Sequence, residues 1–176
     1  MSKIAVSAAV LLLAALPANA LAQDNTRAYA TLGYSQMDTD QASLGMVTAR
    51  AGYNLQSGFG IEAEASVGVD DDAFDVSIGG PGVIKHKHDF SAYFVGLLPV
   101  GERVELFARV GFGVTSVESS APGVIARGDG ESFNYGLGSH FFIDDRNGLR
   151  ADWTRRDFTG DAGEADVWSL SYIRRF

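Results

Sequence analysis

Arg50, Glu62, Glu64, Glu105, Arg109, Arg150 and Asp152 are the residues whose type and spacing could do chemistry. Each falls on the polar side of a segment that alternates apolar and polar residues. In Phe59-Gly60-Ile61-Glu62-Ala63-Glu64 the two acids stand at i and i+2, which places them on one face of a strand. Arg156 continues the polar series that Arg150 and Asp152 begin, giving four bases against four acids. An unpaired charge in an interior costs several kcal/mol. The balanced set therefore predicts a closed network of ion pairs lining an enclosed space, serving as a polar plug or a narrow gate. Glycines among the inward positions are expected to leave room for the long arginines.

Three other groups invite a chemical reading. Lys85-His86-Lys87-His88 puts two imidazoles at i and i+2, a partial set for zinc or copper, but the sequence fixes no third ligand. A basic collar for phosphates explains the same four residues. Asp70-Asp71-Asp72 with Asp75 offers oxygen ligands but lacks the spacing of a calcium loop, so a solvated acidic loop is expected. Ser139-His140 is the one adjacent Ser/His pair. Neighbouring strand residues point to opposite faces, so catalysis is not expected, and neither is any metal or cofactor.

The elements that must position these residues are strands. Period-two alternation recurs near 28–37, 44–54, 59–69, 87–98, 103–116, 132–142, 148–157 and 166–176, with no helical stripe of comparable length. Connections after the second, fourth and sixth segments are short; the others are longer and polar, the longest from about Asp70 to His86. Asn147-Gly148 predicts a tight turn with positive φ. Val47, Ala49, Ala51 and Tyr53 alternate with Thr48, Arg50 and Gly52. Val104, Leu106, Ala108, Val110, Phe112 and Val114 alternate with Glu105, Phe107, Arg109, Gly111 and Gly113. The apolar set is expected to face lipid and the polar set a lumen. Segment 87–98 is apolar on both faces, and this reading does not orient it. Aromatics cluster near segment ends, with Tyr53, Phe59, Phe141, Tyr172 and Phe176 at one level and Phe133 and Trp168 at the other, as two interfacial girdles require. The fold class is all-β: an eight-stranded antiparallel up-and-down transmembrane barrel.

Lys3, the apolar run Ile4–Leu16 and the small residues after Pro17 read as an export signal. Cleavage fits after Ala20 or Ala22; the favoured site leaves Gln23 first, with the leader at 1–22 and one barrel domain at 23–176. Removing Lys3 takes the formal net charge from −8 to −9, which argues against nucleic acid as a partner. The chain has no cysteine, so no disulfide holds the fold.

Ala49-Arg50-Ala51-Gly52-Tyr53, Gly58–Glu64, Leu106–Gly113 and Gly148–Trp153 resemble the small eight-stranded outer-membrane barrels of the OmpA-like, OmpX-like and opacity-type family. The resemblance spans 23–176 and brings no expectation of a wall-anchoring domain. It implies that Trp168, Leu170, Tyr172 and the terminal Phe176 form the signal read by the barrel-assembly machinery. Arg174 departs from that signal, where an aromatic or apolar residue is usual. The implied home is the bacterial outer membrane, with both termini periplasmic and the long loops outside. The implied partners are outer-membrane lipid, lipopolysaccharide, the assembly machinery and an extracellular ligand that the sequence does not identify. The expected role is structural or surface-interacting. A narrow low-conductance pore is the first alternative. A lipid A-modifying enzyme is the second; it would need His140.

Overall fold

A computed structural model describes residues 28–39, 43–55, 58–69, 72–76, 80–121, 124–160 and 163–176, with only the backbone described for 72–76, 80–87, 117–121 and 124–129. The expected leader lies outside these residues. Among them run nine strands: β1 (Ala28–Asp38), β2 (Ser43–Asn54), β3 (Phe59–Gly68), β4 (Asp72–Val76), β5 (Gly80–Pro99), β6 (Val104–Ala121), β7 (Val124–Phe142), β8 (Asn147–Phe158) and β9 (Glu164–Arg175).

Sequential strands pair antiparallel except β3 and β4, β1 pairs with β9, and β3 pairs with β5. These pairings close eight strands into a barrel, while β4 pairs only with the outer part of β5. Followed around the wall, Leu106 pairs with Ser139, then Ala151, Leu170, Tyr34, Val47, Val67, His88 and finally Ser116. The register thus returns to β6 ten residues further on. That stagger tilts the strands and sets the barrel's width. The first and last described residues meet at one end of the barrel, where the Phe176 N–H donates to the Ala28 carbonyl at 2.9 Å. This end, with the short turns, is called the turn end; the opposite end is the loop end.

The barrel is apolar outside and polar inside. Phe112 is 71% exposed and Leu170 61%, while Arg150 is 0% exposed and Asp89 0%. The outward positions are the apolar set of the alternation in β2, β3, β6, β8 and β9. β5 is oriented too: Phe90, Phe94 and Leu98 face out, and Asp89, Ser91, Tyr93 and Val95 face in. Outside, a run of rings crosses four strands from Phe112 through Phe133, Tyr135 and Trp153 to Trp168.

Three sequence expectations need correction. The stretches expected as long loops near 70–86 and 117–131 are largely paired backbone, in β4, β5, β6 and β7. Val117, Val124 and Ile125 are β-branched and continue the ladder although the apolar alternation has ended. Asn147-Gly148 is not a positive-φ turn. The positive-φ glycines are Gly58, Gly101, Gly160 and Gly163, and Gly148 lies inside β8, packed on the backbone of Phe141. The turn between β7 and β8 is instead held by Asp144. Its Oδ1 accepts the N–H groups of Arg146 at 2.9 Å and Asn147 at 2.7 Å. Finally, the inward glycines serve the arginines only at one remove. Gly52 makes room for the Tyr29 ring and Gly138 for that of Phe107.

Candidate functional site: a charged lumen

Inward-pointing residues of β2, β3, β5, β6 and β8 meet in the middle of the lumen. Arg109 on β6 is the hub. Its Nη1 donates to Glu62 Oε1 at 2.8 Å and to Glu64 Oε2 at 2.9 Å. Its Nη2 donates to Asp152 Oδ2 at 2.9 Å and to Thr154 Oγ1 at 2.6 Å. Arg150 takes Glu62 with both terminal nitrogens and Asp152 through Nε at 2.8 Å. Arg50 donates from Nε to Glu64 at 2.6 Å and from Nη2 to Ser169 at 3.0 Å. Arg156 bridges Glu64 at 3.0 Å and Asp89 at 3.0 Å. The rigid guanidinium fork suits such multiple carboxylate contacts.

The rings on the turn-end side complete the cluster. Tyr29 donates its hydroxyl to Glu62 at 2.6 Å, and Tyr93 donates to Glu64 at 3.3 Å. The Arg109 guanidinium lies 4.3 Å from the Tyr93 ring centroid, and that of Arg150 4.2 Å from Phe107. Such cation–π contacts matter most where water is excluded.

Six of the seven sequence-predicted residues come together here: Arg50, Glu62, Glu64, Arg109, Arg150 and Asp152. Glu105 does not join them. It stands at the turn-end rim, 2.9 Å from His140 Nδ1 and 2.9 Å from Arg175. Asp89 takes its place in the balance, so four arginines again face four acids. Sequence reading missed Asp89, Tyr29 and Tyr93. The signal was present in Asp89-Phe90-Ser91, whose two polar residues share a strand face and orient β5.

Apolar layers flank the charges. Tyr93, Val95 and Phe107 form one cluster and Tyr29, Phe142 and Ile173 another, both toward the turn end. Met37, Leu44, Met46, Ala165 and Val167 pack at the loop end, with Phe158 against them. In the loop-end half, Thr115 Oγ1, Ser132 Oγ, Asn134 Oδ1 and Arg156 Nε have no protein hydrogen-bond partner.

The remaining candidates are dispersed. His140 is buried inside the wall, and Ser139 points to its opposite face. A register irregularity separates His86 from His88, so their spacing does not guarantee a shared face. Asp72 and Asp75 lie on β4, and Asp70 and Asp71 lie outside the described residues. No group of three metal-ligating side chains occurs among the described residues. Trp168, Leu170 and Tyr172 face outward and Phe176 is half-buried at the rim.

A closed barrel with an apolar exterior and charged interior is what lipid around the wall demands. The family model for the outer membrane protein beta-barrel domain matches residues 8–176. The chain belongs to that family. Its fold recurs in solved members of the outer-membrane barrel class. Ail of Yersinia pestis has 19% identity and a TM-score of 0.62, covering 85% of this chain and 98% of its own. OprG of Pseudomonas aeruginosa has 11% identity and a TM-score of 0.68, covering 85% and 96%. Neisserial surface protein A has 9% identity and a TM-score of 0.64, covering 85% and 96%. At these identities the likeness is one of fold. No curated protein sequence matches the chain. As an outer-membrane barrel, this protein carries its membrane-spanning charge inside the wall rather than on it.

Proposed function

We propose that this barrel is a plugged, non-enzymatic structural protein of the outer membrane, with periplasmic termini and a loop end that meets surface partners. The observation that carries the reading is the neutral ion-pair network held between apolar layers. Eight strands leave an interior that side chains can fill, and here four arginines and four acids pair with one another in it. The acidic loop end gives the surface role a direction. Among the described side chains, Asp38, Glu131, Glu164 and Asp166 stand at that end. Ail was solved with a heparin analogue, sucrose octasulfate, which is a polyanion. The acidic loops of this chain disfavour such a ligand and favour basic partners or divalent cations shared with lipopolysaccharide phosphates. Against catalysis stands the separation of Ser139 from His140 across the wall.

Planar-bilayer recording on refolded protein that shows a heat-dependent gel shift is the test. The expected result is no sustained conductance. Steady single-channel steps would overturn the plug and favour the narrow pore. Proteolysis at Lys85 and Lys87 on intact cells tests the orientation separately.

A further inference from the structure

The outer wall has a shallow groove that the plug does not explain. Its floor is a row of cross-strand partners, all outward: Ala30, Ala51, Ala63 and Ala92. Phe112 closes one end as the next partner of Ala92. At the other end, the partner of Ala30 is Arg174. Because the strands tilt, this row climbs. Ala30 lies at the turn end of β1, whereas Ala92 and Phe112 lie midway along β5 and β6. The groove therefore starts at the rim and runs into the middle of the apolar wall, with Tyr53 and Phe94 beside it.

Arg174 is exposed and outward. It makes no ion pair among the described residues, and its guanidinium lies 5.7 Å from the ring centroid of Phe176, which itself lines the groove. A guanidinium outside any ion pair at the rim, continuous with an alanine trough entering the apolar wall, matches one chemistry: a phosphate joined to an acyl chain. We propose that the groove holds one phospholipid, its phosphate on Arg174 and an acyl chain along the alanine row. The arginine supplies charge complementarity, and the small floor supplies the depth a chain needs. The proposal rests on the periplasmic placement of the turn end, which puts the groove in the phospholipid leaflet rather than the lipopolysaccharide leaflet.

Native mass spectrometry of the detergent-solubilised barrel with added phosphatidylglycerol tests it. The wild type is expected to retain one lipid. Arg174→Gln is expected to lower the bound fraction about fivefold, the usual weight of one basic residue against lipid phosphate. Ala63→Phe, which fills the trough, is expected to abolish retention while keeping the heat-dependent gel shift. Arg146→Gln, another exposed rim arginine, is expected to change nothing. Absence of retained lipid in the wild type, or equal retention in Arg174→Gln and Ala63→Phe, overturns the proposal. Loss in Ala63→Phe alone overturns the phosphate site, and a dimer sensitive to Ala63→Phe gives the groove to a second copy. Detergent preparations have no sidedness. An orientation error therefore appears in the intact-cell proteolysis and leaves lipid retention untouched.

Discussion

Arg109 touches Glu62, Glu64, Asp152 and Thr154, so its removal takes one cation from three carboxylates at once, each of which keeps another arginine, and leaves the buried cluster one negative charge in excess. Breaking a buried pair by deleting one partner leaves an uncompensated charge, which costs about 3–5 kcal/mol. Arg109→Ala is expected to lower the unfolding free energy by that amount in urea titrations of barrel in lipid vesicles. Arg109→Lys should recover only part of it, because an ammonium cannot reproduce the planar fork. A loss under about 1 kcal/mol, the weight of an exposed pair, would contradict the hub role. Tyr29→Phe makes a narrower probe. The ring that fills the space beside Gly52 stays, and only the hydroxyl on Glu62 goes. The expected cost is about 1.5–3 kcal/mol, as for a hydrogen bond to a charged group. These residues differ in how legible they are. Arg50, Glu62, Glu64, Arg109, Arg150 and Asp152 sit on strands whose alternation is clean, so facing can be read directly. Tyr29 and Tyr93 escape because an inward tyrosine looks like any aromatic until its hydroxyl has a partner. Glu105 has the right parity but lies only one residue into β6, and parity says nothing of depth along the barrel.

The β7–β8 hairpin shows an element fixed by a side chain rather than by backbone permissiveness. Asp144 accepts from the N–H groups of Arg146 and Asn147 and from the Asn147 amide, and Asn147 in turn accepts from Tyr172. The Asn147 amide first, then the two backbone N–H groups, hold the Asp144 carboxyl below its ordinary value of 3.8. A folded value below the unfolded one means that the carboxylate's contribution is fully present above about pH 4 and fades as pH falls through the folded value. The amide proton shifts of Arg146 and Asn147 should therefore titrate together with a midpoint below 3.8, and Asp144→Ala should remove the titration. A midpoint at or above that value would mean that the turn forms without the carboxylate. An Asn-Gly pair suggests a different turn from sequence, because both residues tolerate positive φ. In the fold, Gly148 is already paired with Phe142, so the chain has reversed before reaching it. The extended hairpins beyond the apolar band are hard to read for a related reason. With neither lipid nor a packed lumen to sort the faces, alternation lapses while backbone pairing continues.

Charge is divided across the whole molecule. The lumen is neutral, with Arg50, Arg109, Arg150 and Arg156 against Glu62, Glu64, Asp89 and Asp152, while Asp38, Glu131, Glu164 and Asp166 stand at the loop end of a chain whose formal net charge is −8. The two populations should respond differently to salt. Mobile ions screen charges that they can approach, over a Debye length of about 30 Å at 0.01 M and ~3 Å at 1 M. Ions cannot approach pairs sealed between apolar layers, and those pairs are screened little. The thermal midpoint of the folded barrel in neutral detergent should accordingly move by less than about 3 °C between 0.01 and 1 M NaCl, equivalent to ~1 kcal/mol at this chain length. The loop end should respond instead through ligands, with basic peptides or Mg²⁺ bound at low salt and released at high salt. A fall of ten degrees or so in the midpoint would mean that ions enter the lumen and compete for the arginines. That result would convert the plug into a path, because ions that screen Arg109 could also pass it. Salt dependence thus separates a sealed polar core from a narrow pore without a conductance measurement, and it rests on the burial of Arg50, Arg109, Arg150 and Arg156, each 3% exposed or less.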